Sequence, residues 1–319
     1  MRIDGIYSMR EHRTKVYSDI VYEWEEELAK RLNVPILQWG NTHEVACRLI
    51  GGTLDYAVKY AVFGSKRRYL RFVMNAMENT PLFNHPTCIP IIIDFFVSDD
   101  RIGEFISIYE RCEYVFISSK EAFDRLSVHN LPFEIRHFPL FVPERIRIRF
   151  LPPKKYSLTV FGAQINDAFF MPNIYRYARE HDNFIFVSKL PDCDKYADSN
   201  GNIVADASTR EGYLELMRKS KVVVYSTPGI RGRSDANGYN QVTPKFLEYL
   251  SAYCHVILRY SHNTDTEFYE LDRFGASVSS YAEFAAALDN ALSSPIPKGE
   301  YDTYLSKHGI SSTLRVITK

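Results

Sequence analysis

The chain has 319 residues, 45% of them hydrophobic and 14% aromatic, with 39 basic and 39 acidic side chains. At roughly 100–200 residues per domain, that length suggests two domains with cores large enough to need neither disulfide nor metal. Zero formal net charge gives no reason to expect nucleic acid as a partner.

Cys47, Cys88, Cys112, Cys193 and Cys254 are scattered and never form a C-x-x-C pair, as expected of reduced thiols in a cytoplasmic protein. Met1–Arg13 carries charge without an apolar core, so no signal peptide is expected. The longest apolar run, Ile89–Val97, is broken by Pro90 and Asp94 and falls short of the roughly 20 residues that cross a bilayer.

In chain order, Ser18–Arg31 reads as a helix with Trp24 and Leu28 inward, and Arg67–Met77 as another. Ile89–Phe96 is a continuous apolar run of strand length, typical of a strand covered on both faces. A helix over Arg101–Glu110, a strand at Tyr114–Ser118, a helix over Ser119–Val128 capped by Ser119 and a strand at Phe133–Leu140 follow. Pro143–Lys155, with Pro152-Pro153, reads as an inter-domain linker. Within it Arg145, Arg147 and Arg149 alternate with Ile146 and Ile148, the pattern of a half-buried strand with a cationic outer face. That face, like the cluster Lys66, Arg67, Arg68 and Arg71, suits either plain solvation or an anionic membrane surface or diphosphate-linked acceptor.

The alternation then restarts. Strands are expected at Ser157–Phe161, Phe184–Val187, Ile203–Ala205, Val222–Ser226 and His255–Arg259. Helices are expected at Pro172–His181, Thr209–Lys219, Pro244–Tyr253 and Tyr281–Leu292, with two terminal helical stretches. Strands alternating with helices of about 10–12 residues predict an α/β fold: two Rossmann-like lobes with parallel sheets facing a cleft. In such sheets ligands bind beyond the carboxyl ends of the strands. The expected division is 1–145, 156–292, and terminal helices at 293–319 that pack back on the first lobe.

Several motifs are absent. There is no G-x-G-x-x-G, P-loop or G-x-S-x-G, and His43-Glu44 lacks the second histidine of H-E-x-x-H because Cys47 stands there. Asp192 and Asp194 could bind a divalent ion with a nucleotide diphosphate, or form a solvated acidic loop.

The informative segment is Tyr225–Ile257, YSTPGIRGRSDANGYNQVTPKFLEYLSAYCHVI. A strand ends near Ser226, and a loop with Gly229, Gly232 and Gly238 leads into a helix opened by Thr243 and Pro244. A helix start behind such a loop offers N–H groups and a positive dipole end to an anion. Lys245 in the first turn opposes that dipole, which makes sense if an anion binds there. Glu248, one turn on, could hold a ribose diol. The alternative is an ordinary amphipathic helix with one Lys245–Glu248 ion pair.

The stretch Val242–Ile257 resembles the donor-site segment of GT-B glycosyltransferases, especially retaining, family-4-like enzymes of bacterial surface polysaccharide synthesis. It has Pro244, Lys245, Glu248 and Tyr249, then Val256-Ile257. Leu158–Ala163 resembles the first strand and glycine turn of that family's second lobe, placing Gly162 in the site. Glu211–Ser226 and Tyr114–Glu121 extend the likeness to about residues 87–290.

The resemblance implies a nucleotide diphosphate-sugar as donor, a saccharide or lipid-linked saccharide as acceptor, no cofactor and no metal. The donor would lie in the second lobe and the acceptor in the first, at the inner face of a membrane. Glu248 would hold the ribose. Gly238, Asn240, Gln241, Val242 and Thr243 would cradle the diphosphate beside Lys245, with Lys189, Arg231 and Arg233 as further cations.

The chain departs from the family pattern at four places. Asn240 stands where the first of two glutamates is usual. Tyr253 and His255 replace a Gly–Pro turn. Phe96 stands where a histidine often ends the acceptor-lobe strand, with Asp94 two residues earlier on the same side. No Gly-rich turn opens the first lobe. Asp94 and Asn240 are therefore the candidate catalytic residues, Asp94 as base or acceptor ligand. Ser118 reads as a cap or substrate contact, and His137 as a core histidine. Competing readings are a catalytically silent nucleotide-sugar-binding module and a nucleotide-sugar isomerase on the same scaffold.

Overall fold

A computed structural model describes residues 1–10, 18–38, 67–79, 84 and 86–319; Cys47, Lys66 and the His43-Glu44 pair lie outside them. The chain divides into two compact units, 1–143 with 309–319, and 144–308.

The first unit is built on a six-stranded parallel sheet in the order β2-β1-β3-β4-β5-β6. Its strands are β1 (Gly5–Ser8), β2 (Ile36–Gln38), β3 (Tyr69–Asn75), β4 (Cys88–Asp94), β5 (Tyr114–Ile117) and β6 (Glu134–His137). Helix α1 (Asp19–Leu32) buries Trp24 and Leu28 as the pattern predicts, and the Trp24 indole donates to the Phe141 carbonyl at 2.8 Å. α2 (Ile102–Tyr109) packs through Ile102, Phe105 and Tyr109. α3 (Lys120–Leu126) is capped by Ser119, whose hydroxyl accepts from the Ala122 amide.

β3 corrects the expected helix over Arg67–Met77. Leu70, Phe72 and Val73 are buried, and Arg71 is buried among them with its guanidinium on Glu78 at 2.7 Å. The charge inside the strand is paired, which removes the penalty that argues against burying it.

The second unit carries a six-stranded mixed sheet in the order β10-β9-β8-β7-β11-β12. β7 (Tyr156–Val160), β8 (Phe186–Lys189), β11 (Ser220–Ser226) and β12 (His255–Arg259) are parallel. β9 (Lys195–Asp198), absent from the sequence reading, and β10 (Ile203–Asp206) add an antiparallel edge. Helices α4 (Phe170–Glu180), α5 (Arg210–Lys219), α6 (Pro244–Ser251), α7 (Thr264–Phe268), α8 (Tyr281–Ser293) and α9 (Lys298–Lys307) surround it. Leu158, Val160, Ile174, Val222, Val224, Phe284 and Leu288 meet in one core. Leu158, Val160, Val222 and Val224 come from strands, and Ile174, Phe284 and Leu288 from the helices that cover them, so the strand runs are continuous rather than alternating.

Of the terminal segment 293–319, α9 stays with the second unit. Only α10 (Ile310–Thr318) joins the first, through Thr313 on the Pro139 carbonyl (2.9 Å) and Arg136 on the Val316 carbonyl (3.2 Å). The strand expected at Arg145–Arg149 does not form: Glu144–Ile146 is a single 3₁₀ turn followed by irregular chain.

Candidate functional site

The second unit gathers the sequence-selected residues at the carboxyl ends of its parallel strands. Gly162 follows β7, Lys189 ends β8, and the loop 227–243 leaves β11 for α6. Helices run back antiparallel to the strands they connect, so the amino ends of α5 and α6 point to the same edge.

Gly162 has a φ of +52°, and the space a Cβ there would need is taken by the Lys245 ammonium. A left-handed residue without a side chain is what lets that ammonium lie against the backbone. Lys245 is half-buried and has no hydrogen-bond or ion-pair partner among the described residues. Burial pulls its pKa down to about 8; Glu248 opposes the shift, and the charges of Arg231, Lys189 and Arg210 add to it. A poorly solvated cation surrounded by cations is unfavourable alone and favourable with an anion present.

Glu248 does not pair with Lys245. Its carboxylate, 4% exposed, takes the guanidinium of Arg210, itself 14% exposed, from the first turn of α5. The i,i+3 ion pair of an ordinary amphipathic helix is therefore not what occupies this face. Arg210 escaped the sequence reading, although the signal was the one that selected Lys245: a cation at a helix start, against the dipole. Beneath the pair, Phe161 contacts Tyr196, Tyr213 and Tyr249 at 5.6, 5.3 and 5.8 Å between ring centroids. Burial raises the pKa of both Tyr213 and Tyr249 well above the usual phenol value, so both stay neutral.

The loop itself departs from the expected cradle. The Val242 amide donates to the buried Asp265 carboxylate at 2.7 Å, and the Thr243 amide to the Tyr225 hydroxyl at 2.8 Å. Thr243 takes the N-cap position without a side-chain cap bond, and Pro244 opens the helix as predicted. Those two amides are therefore engaged within the protein. The Asn240 carboxamide also turns into its loop: Oδ1 accepts from the Thr227 hydroxyl (2.9 Å) and the Ile230 amide (2.7 Å), and Nδ2 donates to the Gly238 carbonyl (3.2 Å). It packs on Gly229, where a Cβ would stand 2.8 Å from either carboxamide atom.

The remaining candidates divide. Arg231 is half-buried, with its pKa lowered by burial, and its charge acts on Lys245. Arg233 is held by exposed Asp235 at 2.5 Å. Lys189 pairs with Asp194 at 2.7 Å, so the Asp192/Asp194 loop is the β8–β9 turn with one carboxylate taken by a lysine. Gly238 has a φ of +80° with open space around it, and Gln241 is buried. Among the described residues no group of three or more His, Cys, Asp or Glu side chains could hold a metal ion. His255 opens β12, half-buried, with its pKa lowered by burial.

Asp94 ends β4 in the other unit, at the carboxyl edge of that sheet and in register with Asn75 of β3; Ser118, just past β5, and His137, the last residue of β6, lie at the same edge. The Ser118 hydroxyl donates to the Ile93 carbonyl at 2.7 Å, and His137 Nε2 lies 3.2 Å from the Ser118 carbonyl. Burial pushes the His137 pKa down to about 4, which fits a neutral core histidine donating from Nε2.

Two α/β units, each with a six-stranded sheet, and a charged site at the carboxyl edge of the second define the GT-B fold. No protein-family model and no curated protein matches the chain. Solved structures do. An apo OtsA structure has a TM-score of 0.54 at 10% identity, covering 97% of this chain and 83% of that one. A UDP-forming α,α-trehalose-phosphate synthase from Burkholderia vietnamiensis has a TM-score of 0.52 at 10% identity, covering 95% and 81%. An E. coli structure bound with UDP-2-fluoro glucose gives 0.52 at 11%, covering 97% and 84%. At these identities the likeness is one of fold.

Proposed function

We propose that the chain is a glycosyltransferase that moves a sugar from a nucleotide diphosphate-sugar to a saccharide or lipid-linked saccharide, in surface polysaccharide synthesis. The observation that carries this reading is the poorly solvated Lys245 ammonium lying over Gly162 with no hydrogen-bond or ion-pair partner among the described residues. It stands among Lys189, Arg210 and Arg231, at the edge where α/β sheets bind ligands. A diphosphate fits that excess of positive charge. As the sugar–oxygen bond breaks, negative charge grows on the leaving diphosphate, and fixed cations in a poorly hydrated site stabilise it most. Glu248 accepts the ribose diol, and Arg210, released from it, turns to the phosphates. With basic side chains filling this role the reaction runs without a metal ion, so chelation leaves the rate unchanged.

UDP-sugars are the first donors to try, because fold neighbours include UDP-forming enzymes. The test is a thermal-shift screen against UDP, GDP, dTDP and CMP sugars, repeated with Lys245→Ala and Glu248→Ala. A donor that stabilises wild type but neither variant supports the site. Equal responses from all three proteins to every nucleotide would remove it.

A second reading, a silent nucleotide-sugar-binding module, is favoured by Asn240, whose carboxamide serves its own loop where the resemblance would have a glutamate. It gives the same thermal shifts with no turnover of donor on any acceptor.

A further inference from the structure

The segment between the 3₁₀ turn at Glu144–Ile146 and β7 is fastened at both ends. The Arg218 guanidinium reaches the Ile146 carbonyl at 3.4 Å, and the Tyr253 hydroxyl donates to the Ile148 carbonyl at 2.9 Å. On the other side the Lys154 ammonium donates to the Arg218 carbonyl (2.9 Å) and the Ala252 carbonyl (2.8 Å), at the ends of α5 and α6. The Lys155 amide donates to the Lys219 carbonyl at 2.7 Å. The residues 149–153 between these anchors project as a short loop stiffened by Pro152-Pro153.

At the tip Phe150 is 67% exposed and Leu151 45% exposed, the only adjacent pair among the large exposed apolar residues described. They are flanked by exposed Arg149 and Lys155, neither of which has an acidic partner among the described residues, and no Asp or Glu occurs from 145 to 166. Two apolar side chains are far too little for a stable protein contact, which buries about 800 Å² on each partner. A lipid surface needs no more than such a wedge: apolar groups enter the headgroup–acyl boundary while cations meet the phosphates.

We propose that the Arg149-Phe150-Leu151 tip docks the chain on an anionic lipid bilayer. Both apolar side chains enter the interface, and Arg149 and Lys155 bind lipid phosphates beside them. The inference stands on the loop alone and does not depend on the transferase reading.

The full chain should co-sediment with vesicles of phosphatidylcholine and phosphatidylglycerol in equal parts, and not with phosphatidylcholine alone. Partitioning should fall about a hundredfold in the double variant Phe150→Ser/Leu151→Ser. It should fall roughly fivefold in Arg149→Gln and decline with added salt. Because the tip is exposed, thermal unfolding of these variants should match wild type. In a Phe150→Trp variant, emission should shift to the blue on anionic vesicles only. Failure to pellet with anionic vesicles overturns the proposal, as does equal binding to both vesicle types or undiminished binding by the tip variants. So does a wild-type oligomer in sedimentation velocity that the double variant dissociates, since a second copy would then be the occupant.

Discussion

The Lys245 ammonium occupies the space that a side chain on Gly162 would need, and Gly162 holds a φ of +52° to allow it. One residue follows β7 and the other lies in the first turn of α6, so the contact ties the first strand of the second unit to its charged helix start. Gly162→Ala should therefore act twice. The left-handed backbone conformation costs about 1 kcal/mol, lowering the melting temperature by a few degrees. The flexible end of Lys245 must also move aside, which should weaken donor binding about tenfold. Titration of the variant with the best donor checks this; unchanged affinity would separate Gly162 from the site.

Lys245 gives a pH dependence. Its folded pKa is lowered to about 8 from an ordinary 10.5, so between those values the unfolded chain binds more protons, and this residue makes stability rise with pH. Below about pH 8 the charged form is the burden. Lys245→Met should thus be more stable than wild type at neutral pH, by on the order of 1 kcal/mol after allowing for solvent access. The advantage should vanish as pH approaches 10.5. Diphosphate binding favours the charged form, so wild-type affinity should fall as pH rises through about 8, with proton uptake measurable by calorimetry in two buffers.

The Arg210–Glu248 pair predicts strong coupling. Both groups are largely buried, so removing one partner leaves the other charge uncompensated. Arg210→Ala and Glu248→Ala should each destabilise by about 3 kcal/mol, and the double variant by much less than their sum. Urea midpoints of the four proteins decide it; additive losses would mean that the pair contributes no coupling.

How legible the molecule is from sequence follows from which residues conceal their environment. Strands β4, β11 and β12 are each built on a short apolar run (Ile91–Ile93, Val222–Tyr225 and Val256–Leu258), and they lie where the sequence puts them to within two or three residues. β3 does not, because Leu70, Val73 and Met77 fall at helical spacing and buried Arg71 interrupts the run; the Glu78 contact that pairs this charge is not evident from the pattern. β9 carries Lys195 and Asp198 in four residues, and its edge hairpin leaves no apolar signature.

The site divides along the same line. Gly162, Lys245 and Glu248 carry local signals in a glycine turn and a helix start. Arg210 lies 38 residues before Glu248, and nothing local says that the two meet. Two amides of the expected cradle are likewise engaged in ways the sequence does not announce, Val242 by Asp265, 23 residues on, and Thr243 by Tyr225, 18 residues back.

Asn240 supplies the last prediction, and here a loop role and a direct catalytic role lead to different results. Its Oδ1 holds two donors, the Thr227 hydroxyl and the Ile230 amide, while Nδ2 makes a shorter-range link to Gly238. Asn240→Asp keeps both acceptances and loses the Gly238 donation. If the residue works by shaping the loop, Asp should retain most donor binding and cost about 1 kcal/mol, whereas Ala should cost about 2 kcal/mol. Ala should also raise the donor KM several-fold, because Arg231 rides on the same loop. A residue acting on the reacting sugar would behave otherwise, with kcat falling in both variants and little change in stability or KM. The split between KM and kcat, read beside the urea midpoints, therefore tells the two roles apart.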